Sequence, residues 1–296
     1  MPSWNDVLVE INACPSESPL DKIRRKYLHE LSDNTGRNII AYYSGFLQKP
    51  TFGNTQINDD DKNGFMATIH TLDRSKGLDL ILHTPGGDVA ATESIVYYIR
   101  QMFGNDVRAI IPQIAMSAGT MIACSCKQIV MGKQSNIGPI DPQFGGIPCY
   151  GVLDEFKRAL EQVKLDPASI PIWQAVISKY HPTFIGECQN AIDWSAQIVK
   201  DWLEENMFKD RPNPSQSASE VVASLSDHDG TKTHARHIHL EEAERLGLDV
   251  IRLENDPGFQ DLVLTVHHAY MHTFANSNCA RIIENHIGRA IIYNIT

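Results

Sequence analysis

Several signatures are missing from this chain of 296 residues, and each absence removes a class of function. No stretch approaches the ~20 consecutive apolar residues that a membrane-spanning helix needs. The N-terminus, Met-Pro-Ser-Trp-Asn-Asp, has no basic region followed by an apolar run, so it does not read as a signal peptide. There is no G-x-x-x-x-G-K-[ST], which argues against direct use of ATP, and no G-x-G-x-x-G, which argues against a nicotinamide dehydrogenase. Positive charge is in deficit: 26 Lys and Arg stand against 36 Asp and Glu, a net charge of −10. Nucleic acid and anionic lipid are therefore not expected partners, because phosphate binding needs clustered cations. Cysteine is sparse. Cys14, Cys124, Cys126, Cys149, Cys188 and Cys279 form no C-x-x-C pair, and scattered thiols without a secretion signal point to a reducing cytoplasm. Cys124 and Cys126 read as small apolar packing groups rather than metal ligands.

What remains is 42% hydrophobic, 8% aromatic and 21% charged, the composition of a globular protein with a real core. The length suits one large domain, or one domain with a helical appendage. Residues 1–35 read as a helical leader, with a charged helix over 21–31. Apolar strands are expected over 38–43, 78–83, 107–111 and 128–131, with helices over 88–103 and 117–126 between them. In 88–103 the apolar residues Ile95, Val96, Ile99, Met102 and Phe103 recur at three- and four-residue spacing, and Asp88 can cap the start. Strands alternating with helices predict a parallel sheet with right-handed crossovers. The second half reads differently. Residues 135–148 are a Gly- and Pro-rich loop, 152–163 and 186–210 are amphipathic helices, 226–239 is a His-rich loop, and 259–293 reads as mostly helix with a break near 276–278.

Three features sit at strand ends, where α/β folds place their sites. Thr84-Pro85-Gly86-Gly87 is either a tight turn or a pair of flexible glycines whose N–H groups can face a ligand oxygen. Ala115-Met116-Ser117-Ala118-Gly119-Thr120 puts a serine at a helix start, either as a simple cap or as a nucleophile helped by the positive end of the helix. Ser135-Asn136-Ile137-Gly138-Pro139-Ile140-Asp141-Pro142-Gln143 is a loop stiffened by two prolines, which either joins elements or shapes a site.

In order and spacing these blocks resemble the serine dehydrogenase proteinase family of the Clp protease/crotonase superfamily, relatives of signal peptide peptidase A. The stretches from Asp261 and from Arg281 are also similar to that family. The resemblance implies a spiral of ββα units with a helical C-terminal region, divided into a leader over 1–35, a catalytic domain over 36–210 and a helical extension over 211–296. It implies a cytoplasmic serine endopeptidase with no cofactor, acting on peptides or unfolded segments and assembling as a homo-oligomer. Ser117 is then the nucleophile, with Gly86, Gly87 and Ala118 supplying oxyanion-hole N–H groups. The Clp protease histidine is replaced at the matching position by Asp141, which orients a partner, shapes the site or makes a turn. Signal peptide peptidases use lysine as the base, and Lys157, 40 residues beyond Ser117, fits that placement, with Lys133 and Lys164 behind it. Two alternatives share the fold: a crotonase-type acyl-CoA enzyme, which needs no serine nucleophile, and a catalytically silent scaffold.

Other features read as structural. His228, His234, His237 and His239 suggest a solvated loop rather than a metal site. His268 and His272 lie four apart on a helix but lack the Glu of H-E-x-x-H, so helix packing is expected. Trp173, Trp194 and Trp202 are expected in the core or at subunit contacts.

Overall fold

A strand covered on both faces carries apolar side chains at consecutive positions, not alternate ones, and the strands of this chain have that character. The computed structural model describes residues 3–52, 55–226 and 236–295. Helices α1 (Trp4–Ala13) and α2 (Pro19–Thr35) precede β1 (Asn38–Ser44), α3 (Asp61–Ile69), β2 (Leu78–His83), α4 (Val89–Phe103), β3 (Val107–Ile111), β4 (Ile114–Ala115), α5 (Ala118–Ser125) and β5 (Gln128–Met131). Short strands β6 (Asn136–Ile137), β7 (Gln143–Phe144) and β8 (Ile147–Pro148) lead into α6 (Cys149–Leu165), α7 (Ile170–Ile177) and α8 (Phe184–Trp202). Then come α9 (Pro214–Leu225), β9 (Ile238–His239), α10 (Leu240–Arg245), β10 (Val250–Arg252), α11 (Pro257–Ala275), β11 (Cys279–Asn285) and β12 (Ala290–Asn294).

One seven-stranded sheet runs β10-β5-β3-β2-β1-β11-β12. Its first five strands are parallel, and β11 and β12 close one edge in antiparallel pairing. Alternate strand residues face two different cores. Tyr42, Leu80, Leu82 and Ile111 pack with α4, α5 and α8 on one face. Tyr43, Ile81, Ile110 and Val130 pack with α1, α2 and α11 on the other. This is the mixed α/β architecture, helical toward its C-terminus, that the alternation of elements predicts.

Two elements differ from the sequence reading. The segment expected as a leader is part of the main packing: Val7, Ile11, Leu28 and Leu31 are buried in the core that α11 shares. The helix expected to continue to residue 293 stops at Ala275, and β11 and β12 follow. Every residue of β11 is buried. The open edge of β1 offers a full row of hydrogen bonds there, and tertiary pairing overrides local helix preference.

Helices α6, α7 and the first half of α8 form an arm, while Ile198, Val199 and Trp202 at the end of α8 are buried in the main core. Cys149, Val152, Phe184, Cys188 and Ile192 form a small core of their own within it. The arm is entered through the β7–β8 hairpin, whose turn residues Gly145 and Gly146 take φ values of +57° and +83°. Among the described residues no helix is long and apolar enough to cross a membrane.

Candidate active site

The end of β2 and the start of β4 are stitched together. The Thr84 N–H donates to Ile114 O at 3.1 Å and the Met116 N–H donates to Thr84 O at 3.0 Å. The next residue, Ser117, has φ 51° and ψ −116°. It is the one non-glycine residue with positive φ among the described residues. A conformation of this kind costs on the order of 1–3 kcal/mol and persists where surrounding structure imposes it. Here it turns the chain from β4 into α5 within one residue and leaves the half-buried serine in the wall of a cleft.

The neighbouring glycines permit that turn. A Cβ on Gly119 would lie 2.5 Å from Thr84 Cγ2, and one on Gly138 would lie 2.5 Å from Met116 Cε. The Gly138 N–H donates to Thr120 Oγ1 at 2.9 Å, and that hydroxyl donates to Ala115 O at 2.9 Å. Thus the three strand-end features of the sequence meet at one point, around the turn that carries Ser117.

Gly86 and Gly87 differ in role. Gly86 has φ +100°, and a Cβ there would lie 2.7 Å from Ser117 Cβ and 3.1 Å from Ala118 N. Its own N–H donates to Thr84 Oγ1 at 3.1 Å. Gly87 forms a parallel bridge with Ile57: the Ile57 N–H donates to Gly86 O and the Asp88 N–H donates to Ile57 O, both at 2.9 Å. Both bonds go to the residues flanking Gly87, and along an extended backbone successive N–H groups point to opposite edges. The Gly87 N–H is therefore on the edge opposite Ile57. Ala118 opens α5, so its N–H has no intrahelical acceptor.

The cleft measures about 930 Å³. Its lining mixes polar groups, among them Gln56, Asn58, Asp88, Ser117 and Glu187, with apolar ones, among them Met121, Ile140, Phe144 and Trp194. Of the two placements expected for Trp194, the core is not the one found: the residue is 41% exposed and lines the cleft. Sequence reasoning also passed over Gln56, Ile57 and Asn58, because nothing in their spacing separates them from any polar loop.

The remaining candidates are placed as follows. Asp141 is buried, and its neighbours Ile140 and Pro142 line the cleft while it does not. Burial, with Cys188 and the Asp141 charge adding to it, pushes the Cys149 thiol up to about 12. Lys157 is exposed on α6, and Lys133 and Lys164 are exposed too. No lysine or histidine is among the described residues that line the cleft, so the structure does not bring Lys157 to Ser117. His83 ends β2 but faces the other core, with ring centroids 5.1 Å from Phe46, 5.5 Å from Tyr43 and 5.2 Å from His267. Burial lowers its pKa to about 3 and keeps the imidazole neutral. His272 Nε2 lies 3.0 Å from Trp4 O, and His268 meets the Trp4 ring edge-on, so both pack α11 against α1. His228 and His234 lie outside the described residues, and among those described no three His, Cys, Asp or Glu are grouped to hold a metal ion.

The chain is 30% identical over 236 residues to the uncharacterized protein MJ0137 of Methanocaldococcus jannaschii, covering 78% of this chain and 74% of that protein. It is 27% identical over 235 residues to the uncharacterized protein MJ1495 of the same organism, covering 77% and 71%. A point-mutant form of the 1510-N membrane-bound stomatin-specific protease is 18% identical, with a TM-score of 0.41 over 66% of this chain and 74% of that one. Residues 7–257 match the family described as ClpP-like SDH-type serine proteinase, and the chain belongs to that family.

Proposed function

We propose that this protein is a serine endopeptidase in which Ser117 Oγ attacks the substrate carbonyl. The observation that carries the reading is the positive φ of Ser117, held at the first turn of α5 and facing a cleft. Attack forms a tetrahedral adduct whose negative oxygen needs fixed donors. Gly87 N–H and Ala118 N–H supply them, while Gly86 contributes by fitting against Ser117 without a side chain. The cleft's mixed lining suits an extended peptide or unfolded segment better than a compact ligand. A crotonase-type reaction would leave the strained serine without a task.

The proton of Ser117 must go to a base, and the proposed base is Lys157, neutral at the moment of transfer. Because Lys157 stands exposed on α6, the Ser–Lys dyad requires the arm to move about the Gly145–Gly146 turn before the lysine reaches the cleft. Action in the cytoplasm as a homo-oligomer belongs to the same proposal. The exposed Leu160, Leu165 and Ile172 of the arm are the surface available for copies to pack.

A fluorophosphonate probe tests the reading. It labels the wild type at Ser117, and Ser117→Ala abolishes both labelling and peptide hydrolysis. Lys157→Ala reduces hydrolysis nearly to nothing. A fully active Ser117→Ala protein removes the serine peptidase reading, and a fully active Lys157→Ala protein moves the base elsewhere.

A further inference from the structure

We infer that Arg281, on the penultimate strand and beyond residues 7–257 that match the family, is a positioning residue for the oxyanion-hole loop. This rests on the peptidase reading above and extends it to a group that never touches substrate.

The chain of contacts is short. Arg281 is fully buried and its guanidinium Nε lies 2.8 Å from Asp61 Oδ1, itself fully buried. The Tyr42 hydroxyl donates to Asp61 Oδ2 at 2.9 Å, and the Asn58 N–H donates to the same oxygen at 3.1 Å. Arg281 Nη1 donates to Gln56 O at 2.8 Å and Nη2 to Asn58 Oδ1 at 3.4 Å. The guanidinium and the Asp61 carboxylate therefore grip residues 56 and 58 from one side. Between them sits Ile57, whose N–H and C=O hold Gly86 and Asp88 on the other side. The fit is tight: a Cβ on Gly87 would lie 2.3 Å from Ile57 O. Any shift of residue 57 passes directly to the backbone that presents the Gly87 N–H. A planar guanidinium makes these contacts at once, where an ammonium has a single point to offer. Misplacing a catalytic group by ~1 Å costs about 100-fold in rate, so a loop anchor remote from the chemistry is felt in turnover.

A control lies on the same strand. Alternation along β11 points Arg281 and Ile283 to one face and Ile282 and Glu284 to the other. Glu284 is equally buried and binds Arg24, Arg25 and Tyr270, none of which lines the cleft.

The test compares Arg281→Lys, Arg281→Met, Tyr42→Phe and Glu284→Gln in the full chain. The readouts are kcat and KM on a peptide that the wild type cleaves, the fluorophosphonate labelling rate at Ser117, the melting temperature, and hydrogen exchange of the Ile57 and Asp88 amides. The expected result for Arg281→Lys is a fall in kcat and labelling rate of about 10- to 100-fold, with KM within about threefold and exchange accelerated at both amides. Tyr42→Phe shows the same pattern more weakly. Glu284→Gln lowers the melting temperature but keeps kcat, labelling and exchange at those amides. If Arg281→Met does not fold, the Lys and Phe variants decide. An Arg281→Lys protein that labels at the wild-type rate with unchanged exchange overturns the inference, as does a Glu284→Gln protein that loses kcat equally. A wild type that neither cleaves nor labels removes the peptidase reading instead, whatever the exchange data show.

Discussion

Replacing Gly86 by alanine puts a methyl group where Ser117 and its helix already are. The added Cβ would lie 2.7 Å from Ser117 Cβ, 2.8 Å from Met116 O and 3.1 Å from Ala118 N, against 3.4 Å or more for ordinary contact. Two of those atoms are backbone, so relief must come from moving the turn that carries Ser117 by roughly 1 Å, a displacement worth about 100-fold in rate if Ser117 acts as proposed. Stability falls as well. The left-handed conformation at φ +100° costs an alanine roughly 1–2 kcal/mol, and the overpacking adds about 1–3 kcal/mol. At ~2 °C per kcal/mol for a chain of this size, the melting temperature drops by about 4–10 °C. Gly104→Ala separates the two effects. Gly104 has φ +60° and nothing within 4 Å of the methyl that alanine would add, so that variant takes the conformational cost alone and keeps its activity. Peptide hydrolysis under saturating substrate and thermal denaturation of both variants are the measurements. Gly86→Ala protein turning over within threefold of wild type, or Gly104→Ala protein losing as much activity, would refute the placement of Ser117 against Gly86.

Three more outcomes are expected. Ser117→Gly abolishes hydrolysis yet raises stability by about 1 kcal/mol, because glycine takes φ 51° without strain; a thermal melt showing destabilisation would contradict this. His83 remains neutral in the fold down to about pH 3, whereas the unfolded chain protonates it near 6.5. Its folded pKa is the lower one, so its contribution is lost as pH falls below about 6.5, by about 1.4 kcal/mol per pH unit. His267 acts in the same direction. His83→Phe should therefore flatten the acid limb of a stability–pH curve, and an unchanged slope would count against the burial of that ring. Burial pushes the thiols of Cys124, Cys126, Cys149 and Cys279 up to about 12. In the native protein only the half-buried Cys14 should react with a thiol reagent near neutral pH, and rapid modification of Cys124 or Cys126 by mass spectrometry would show the α5 packing to be wrong.

The central strands and the turn around Ser117 were legible because their signals are local. Short apolar runs, Leu80 to Leu82 and Ala109 to Ile111, mark β2 and β3, and glycines mark the turns that need them. Long-range effects were not legible. Nothing in the stretch from Cys279 to Asn285 says that β1 has an open edge waiting for it. Residues 56–58 look like any polar loop until β11 closes over them and Ile57 meets Gly87. Trp194 has the helical spacing of a core residue, but the arm that carries it packs on its own small core and leaves the indole in the cleft. The resemblance that nominates Lys157 implies a helix there, and α6 is that helix, but it is silent on where α6 lies.

The pairing of β1 with β11 joins residues more than 200 positions apart, Ile40 with Asn285 among them. A ribosome delivers the first of these long before the second, since synthesis runs from the N-terminus. While Arg281 is still untranslated, the segment around Ile57 lacks its anchor and the sheet lacks one border. A nascent copy therefore carries Ser117 out of the ribosome well before β11, the strand that borders β1, has been made.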